Sequence, residues 1–519
     1  MPVDVLLEIF SASILSAGSD PTLPMILSQV CRGWRNLLFR TPTLWANITV
    51  FEKVAKTNDS VEQTLSRVQT FLWRSRQCPL NIDLTFLTWE GYECDETLDG
   101  PKLQDNYQSY LDVLGYIGNA LVPHADRIRV FTLTVDDYES TGEILGEFRS
   151  VKTMPLLQYW RVNNKHEHEV FRTPDDLEDS DDEPYTHHAL LHLEPLPAGD
   201  KAVYSPYPNL HSLTLHSAPV RWTQFCNPRA LKELTISLLP LGYRPTALDL
   251  YNILSACAPC LESLCLKGSI TEDAWPAALT LPNLQSLELG FCEAVELIPF
   301  ITGVAFPALL NFTLTDIRRE FIDLDGRLKV DTEFDAGIAP LLNTISRRFP
   351  MESLWKITLR HILLYPTEGV IHTMRDPDAD AALTFAVCFF STLKGPHYII
   401  LVDPDDAMLG ALNRVHPFTP AHGNLRTDSD IPTPHLRLLH VERCAASILN
   451  KFVRYRAQYP DLVYPLFSLI IHQPESWFKS VGWGEPCSGG IDESALAAFQ
   501  VFWSRTVLNS GVEHALLNS

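Results

Sequence analysis

The chain has 519 residues, of which 41 are basic and 63 acidic, for a formal charge of −22. So acidic a surface repels phosphate backbones and anionic lipid, and no run of basic residues overrides it; nucleic-acid and membrane partners are disfavoured. Apolar residues make up 46% and charged residues 20%, a balance that supplies a continuous core to a globular chain.

The N-terminus, MPVDVLLEIFSASIL, is apolar but has no basic start, and Asp4 and Glu8 interrupt it. It does not read as a secretory signal. The later apolar run at 381–393 is shorter than the ~18 residues that cross a bilayer. An intracellular, reducing compartment is expected, with cytoplasm and nucleus not distinguished. Leu6, Ile9, Phe10 and Ile14 fall at helical spacing over residues 3–14. Gly18, Pro21 and Pro24 end that helix. A second apolar face runs through Ile26, Leu27, Val30, Trp34, Leu37 and Leu38, with Arg32 and Arg35 opposite, and TPTLWANITV (41–50) reads as a turn into an extended segment.

From residue 62 a helix-then-strand grammar recurs. Helical periodicity over 62–80 precedes a strand at 81–86, and 110–133 and 246–266 repeat the pattern. The clearest strands are the lines YPNLHSLTL (207–215), LPNLQSLEL (281–289) and FPALLNFTL (306–314). Each closes on L-x-L or its equivalent, so alternate side chains face one way. Such a strand cannot bury its apolar edge alone and needs copies stacked beside it. The central lines start about 21 to 30 residues apart, in the leucine-rich-repeat range. Further lines occur at Leu354, Ile357 and Leu359, at Leu436, Leu439 and Val441, and at Leu466, Leu469 and Ile471. Two insertions interrupt the period. The one near 163–206 carries an acidic run and His166, His168, His187 and His188; the one near 373–430 holds an apolar helix (381–393) and a candidate strand (397–402). Beyond 475, an apolar helix within 493–508 suits a cap over the last repeat.

No nucleophile elbow, phosphate loop, zinc-protease motif or dinucleotide fingerprint is present. Cys257 and Cys260 form a single CxxC with Cys265 nearby, and without a second pair they read as small buried side chains rather than metal ligands. No enzyme activity, metal or cofactor is expected. The free strand positions instead offer a binding face, expected to be concave. Among them, His216, Glu233, Lys267, Glu288, Lys356 and Arg360 are the candidate partner-binding residues, set in a surface otherwise rich in hydroxyls such as Ser212, Thr214, Thr235, Thr313, Thr315 and Thr358.

PVDVLLEIF (2–10), LSQVCRGWRNLLF (27–39) and PTLW (42–45) occur in that order within fifty residues. Together they resemble the F-box, with Met1 where that family has leucine and Asp4 where it has glutamate. The chain as a whole resembles the large fungal set of F-box proteins with C-terminal leucine-rich repeats. That resemblance implies docking onto the adaptor subunit of SCF-type ubiquitin ligases and, through it, a cullin. Carried over by motif, the adaptor-binding candidates are Pro2, Leu6, Ile9, Phe10, Val30, Cys31, Trp34, Leu44 and Trp45. The implied function is a substrate-recognition subunit whose repeats hold a protein substrate; the alternative is a leucine-rich interaction scaffold outside any ligase. The fold expected is α/β, a small all-helical F-box-like module followed by a curved leucine-rich-repeat solenoid with parallel strands inside and helices outside. Its boundaries are 1–50 for the module, 51–125 for connecting helix/strand units, 126–475 for the array and 476–519 for the cap.

Overall fold

The computed structural model describes residues 2–16, 22–53, 59–87, 100–165, 207–218, 220, 222, 228–319, 337–364, 377–412, 433, 435–442, 468–473 and 501–505. The histidines of the first insertion lie outside them. The fold is mixed α/β, with parallel strands and intervening helices. It divides into two compact units, Met1–Ser269 and Ile270–Ser519. Among the described residues no helix is long and apolar enough to cross a membrane.

The first unit opens with three helices, α1 (Val3–Ser16), α2 (Leu23–Val30) and α3 (Arg32–Arg40), and a 3-10 turn, Pro42–Trp45. The apolar face expected to be continuous over 26–38 is in fact two helices. Cys31 is extended (φ −155°, ψ 167°) and breaks them. Its Sγ accepts the Trp34 N–H at 3.4 Å, serving one of the donors that a helix start leaves unpaired. Strand β1 (Asn47–Lys53) follows directly, then α4 (Asp59–Arg74), β2 (Leu80–Leu87), α5 (Gly100–Leu121), β3 (Ile128–Val135), α6 (Tyr138–Gly146) and β4 (Tyr159–Asn164). After the first insertion come β5 (Ser212–His216), β6 (Glu233–Ser237), a helix at Ala247–Cys257 and β7 (Ser263–Lys267). Strands β1 to β7 pair in sequence order, all parallel. The ladder therefore begins at β1, and β2 already belongs to it.

Local chemistry sets each step of this ladder. Pro208 and Pro282 open turns that close through Leu210 N–H to Tyr207 O (3.3 Å) and Leu284 N–H to Leu281 O (3.4 Å), the position where a fixed φ favours the turn. The leucines of each line are then sealed: Leu213, Leu215, Leu234, Ile236, Leu264 and Leu266 are all buried. At the far end of several strands one residue turns left-handed, namely Ser217 (φ 46°), Leu238 (55°), Gly268 (52°), His361 (58°) and Asp403 (52°). Only one of the five is glycine, and an L-residue there costs roughly 1–2 kcal/mol. A bond to the next strand offsets that cost, as in Ser217 N–H to Ser237 O (2.8 Å) and Leu238 N–H to Lys267 O (2.7 Å).

The second unit holds a short pair, β8 (Leu279–Thr280) with β10 (Val304–Ala305), and a longer parallel ladder. That ladder runs β9 (Ser286–Phe291), β11 (Asn311–Asp316), β12 (Lys356–Arg360), β13 (Tyr398–Val402), β14 (Leu438–Glu442), β15 (Ser468–Gln473) and β16 (Val501–Arg505). Helices at Leu297–Gly303, Ile338–Arg348 and Pro377–Thr392 alternate with the strands. Within the second insertion, the described residues 377–412 contain the expected helix and strand. Of the helix expected within 493–508, only 501–505 lie among the described residues, and there the expectation is corrected: Val501–Arg505 is a strand in register with β15. Val, Phe and Trp in succession are strand formers, and pairing with β15 decides a short apolar run that periodicity leaves ambiguous.

One glycine shows how closely this unit is packed. A Cβ on Gly395 would lie 2.5 Å from Glu352 O and 2.7 Å from Leu354 O. Both are backbone atoms with no rotamer to yield. Gly395→Ala is expected to destabilise the second unit by about 2–3 kcal/mol, read as a lower urea midpoint. An unchanged midpoint would mean the backbone gives way there freely.

Candidate functional site

The N-terminal helices pack on a small aromatic core. Phe10 of α1 meets Trp34 of α3 edge-on at 4.8 Å between ring centroids. Trp45 lies against Phe71 of α4 (5.2 Å) and Phe39 (6.2 Å). Its Nε1–H donates to Leu38 O at 2.9 Å, and the Arg74 guanidinium sits 3.6 Å above the Phe39 ring and 4.8 Å from that of Trp45. Burial holds the Arg74 pKa below its usual value. Arg35 Nε–H reaches Ser28 O at 2.9 Å, tying α3 to α2.

The nine candidate adaptor residues separate into two groups. Phe10, Leu44 and Trp45 are buried and form the packing of the module itself. Leu6 and Trp34 are half-buried, while Pro2, Ile9, Val30 and Cys31 are exposed. Three further apolar side chains, Val3, Val5 and Ile26, are also exposed, and Val30 is open to 59%. These three were not among the candidates. A signal for the first two was available: α1 is apolar almost all round, and a helix of that kind near a surface needs cover on its second face.

The strand ladder supplies a second surface, formed by side chains facing away from the leucines. In the first unit one register row runs Asn163, His216, Ser237 and Lys267, another Tyr159, Ser212, Glu233 and Ser263, and a third Thr132, Arg161, Thr214 and Thr235. His216 Nδ1 lies 2.8 Å from Ser237 Oγ. Glu233 is exposed, and His216 and Lys267 are half-buried. His216 and Lys267 thus share a row, and Glu233 stands apart from them. At the strand entry, Lys232 pairs with Glu262 at 2.9 Å, both exposed. Asp83, on β2, has an exposed tip, yet the atoms packed about its carboxyl raise its pKa, with Arg161 pulling the other way.

In the second unit, Glu288, Lys356 and Arg360 are half-buried and fall on three different rows. Lys356 lies 5.5 Å from the centroid of the Tyr398 ring on the adjacent strand. Thr315 and Thr358, expected on the free face, are instead buried. Ile400, the register partner of Thr358, is buried too, so the face is closed at that point.

Cys257 is buried, its Sγ–H directed at Ile253 O (3.2 Å), and burial pushes the thiol up to about 12. Cys265 sits instead on the outward side of β7, in the row of Thr235. Among the described residues, no group of three or more His, Cys, Asp or Glu is placed to hold a metal ion. No family model matches the chain, and no curated protein matches it.

Proposed function

We propose that this chain is a substrate-recognition subunit of an SCF-type ubiquitin ligase. Its F-box-like helices would dock the adaptor and its repeats would hold a protein substrate. The observation that carries the reading is the exposure of the apolar side chains Val3, Val5 and Ile9 on α1 and Ile26 and Val30 on α2, helices whose motifs resemble the F-box. Several exposed large apolar side chains on one small helical module favour a partner surface. Holding a substrate beside the transfer machinery would make ubiquitin transfer effectively intramolecular. The rival scaffold reading makes α1 a mere cap and calls for its apolar face to be covered by residues 51–90; on that face Ile9 is exposed, Leu6 and Ile14 are half-buried, and Phe10 packs on Trp34 of α3.

The test is capture of a purified SCF adaptor subunit by the full chain. Ile9→Asp/Val30→Asp is expected to abolish capture while leaving thermal melting unchanged, because both side chains project into solvent. Equal capture by this variant, or none by the wild type, would remove the ligase reading.

A further inference from the structure

We propose that the outward face of β4 is a docking strip for an acidic, extended protein segment. The outward side chains of β4 are Tyr159, Arg161 and Asn163, continued by Lys165 just beyond it. Tyr159, Arg161 and Lys165 are exposed. Arg161 stands between Thr132 and Thr214 in the paired register, short hydroxyl side chains that leave the guanidinium standing clear and that can themselves donate to a carboxylate. Arg129, in register with the residue before Tyr159, adds a cation at the strand entry. Its Nε and Nη2 reach only the neutral Asn81 Oδ1, at 3.1 and 3.0 Å.

Among the described residues, Arg129, Arg161 and Lys165 have no carboxylate within ion-pair distance. Asp83 is the nearest acidic side chain along the Arg161 row, one strand beyond Thr132. At about 4.8 Å per strand its backbone is roughly 10 Å from that of Arg161; it feels the guanidinium without pairing with it. On a chain of formal charge −22, three such cations form a local site of the opposite sign. Along β4, Arg161 and Lys165 share a face about 13 Å apart at roughly 3.3 Å per residue, a spacing that an extended peptide meets with acidic residues four positions apart on one of its faces, and Arg129 lies about 10 Å further back at the strand entry. Tyr159 adds a ring at the same face, and Tyr and Arg are the side chains on which interface energy concentrates.

The inference rests on the reading that the repeats present this face to a protein, but not on the adaptor. It differs from the candidates His216, Glu233 and Lys267 by one to three strands. The experiment is fluorescence anisotropy of a labelled ten-residue peptide of alternating glutamate and alanine, titrated with the full chain at low salt. Lysine–alanine and phosphoserine–alanine peptides are run beside it. The glutamate peptide is expected to bind, to weaken as salt rises, and to lose about tenfold in affinity in Arg161→Glu/Lys165→Glu. Arg347→Glu, at an exposed position in the last turn of the Ile338–Arg348 helix of the other unit, is expected to leave its affinity unchanged. Equal binding by the Arg161→Glu/Lys165→Glu variant, equal binding of the lysine peptide, or binding of the phosphoserine peptide alone would each overturn the proposal. Adaptor capture is measured on the same variants. Capture retained while peptide binding is absent sinks this strip alone; peptide binding retained while capture is absent sinks the ligase reading alone.

Discussion

Trp45→Ala is expected to cost the first unit about 3–5 kcal/mol, measured as lost hydrogen-exchange protection in α1 to α3 and in β1. The side chain is 1% exposed and fills the space between the helical module and α4. Three effects leave with it: the edge contact to Phe71 at 5.2 Å, the contact under Arg74, and the burial of the indole. An aromatic pair contributes about 0.5–1.5 kcal/mol and a cation over a ring about 0.5–2, so burial is the larger share. Trp45→Phe separates the terms. It keeps most of the ring and removes only the donor to Leu38 O, which still accepts the Thr41 N–H at 3.1 Å. That variant should lose about 1–2 kcal/mol, in line with one hydrogen bond and a small void. If Trp45→Ala left the exchange of α1 to α3 unchanged, these helices would be anchored by something other than this contact.

The same residue bears on the proposed function. Only Ala46 separates the Pro42–Trp45 turn from β1, and β1 pairs with β2 over seven register positions from Asn47 to Lys53. The helices thus run straight into the first strand of the ladder. Loss of adaptor capture in Trp45→Ala is therefore expected to accompany loosened helices, whereas Ile9→Asp/Val30→Asp loses capture with the helices intact. The pair distinguishes a packing residue from a contact residue within one motif.

Much of the ladder was legible because its determinants are local. A proline opening a turn and leucines at period two fix each strand, and the buried leucines then fix the register. The break at Cys31 was not legible. Neither proline nor paired glycines mark it, and a single apolar face spans the residues on either side. The left-handed strand ends were hidden for the same kind of reason: Ser217, Leu238, His361 and Asp403 carry no glycine to announce them, and the bond that offsets the strain comes from the next repeat. The cations along β4 and its entry were not legible because Arg129 and Arg161 are far apart in sequence and are brought to one region only by the pairing of β3 with β4. The net charge of the chain concealed a local site of opposite sign.

Arg127→Met is expected to destabilise the first unit by about 3 kcal/mol, with Arg127→Lys no better. Arg127 ends the 3-10 turn Val122–Arg127 that leads into β3, and it is 5% exposed. Its Nη1 donates to Ser75 Oγ and Cys78 O, both at 3.0 Å, and its Nη2 to Leu72 O at 3.0 Å. These acceptors lie at the carboxyl end of α4 and in the turn after it, where helix carbonyls lack partners and a cation is favoured. The turn passes through Arg76 at φ 50°, so the guanidinium holds a strained exit that delivers Leu80 to the start of β2. Burial lowers the Arg127 pKa, opposed by Asp126, so the three bonds also offset a desolvation cost. Methionine removes that cost along with the bonds. Leu72 O keeps the Ser75 Oγ–H at 2.9 Å, so the clearest orphan is Cys78 O. Lysine keeps the charge but cannot span acceptors that need a planar fork, and a buried charge short of partners is penalised further. Urea titration of the two variants decides between geometry and charge. If lysine restored most of the stability, the site would need only a cation, and the fork between α4 and β3 would not be what sets the entry to β2.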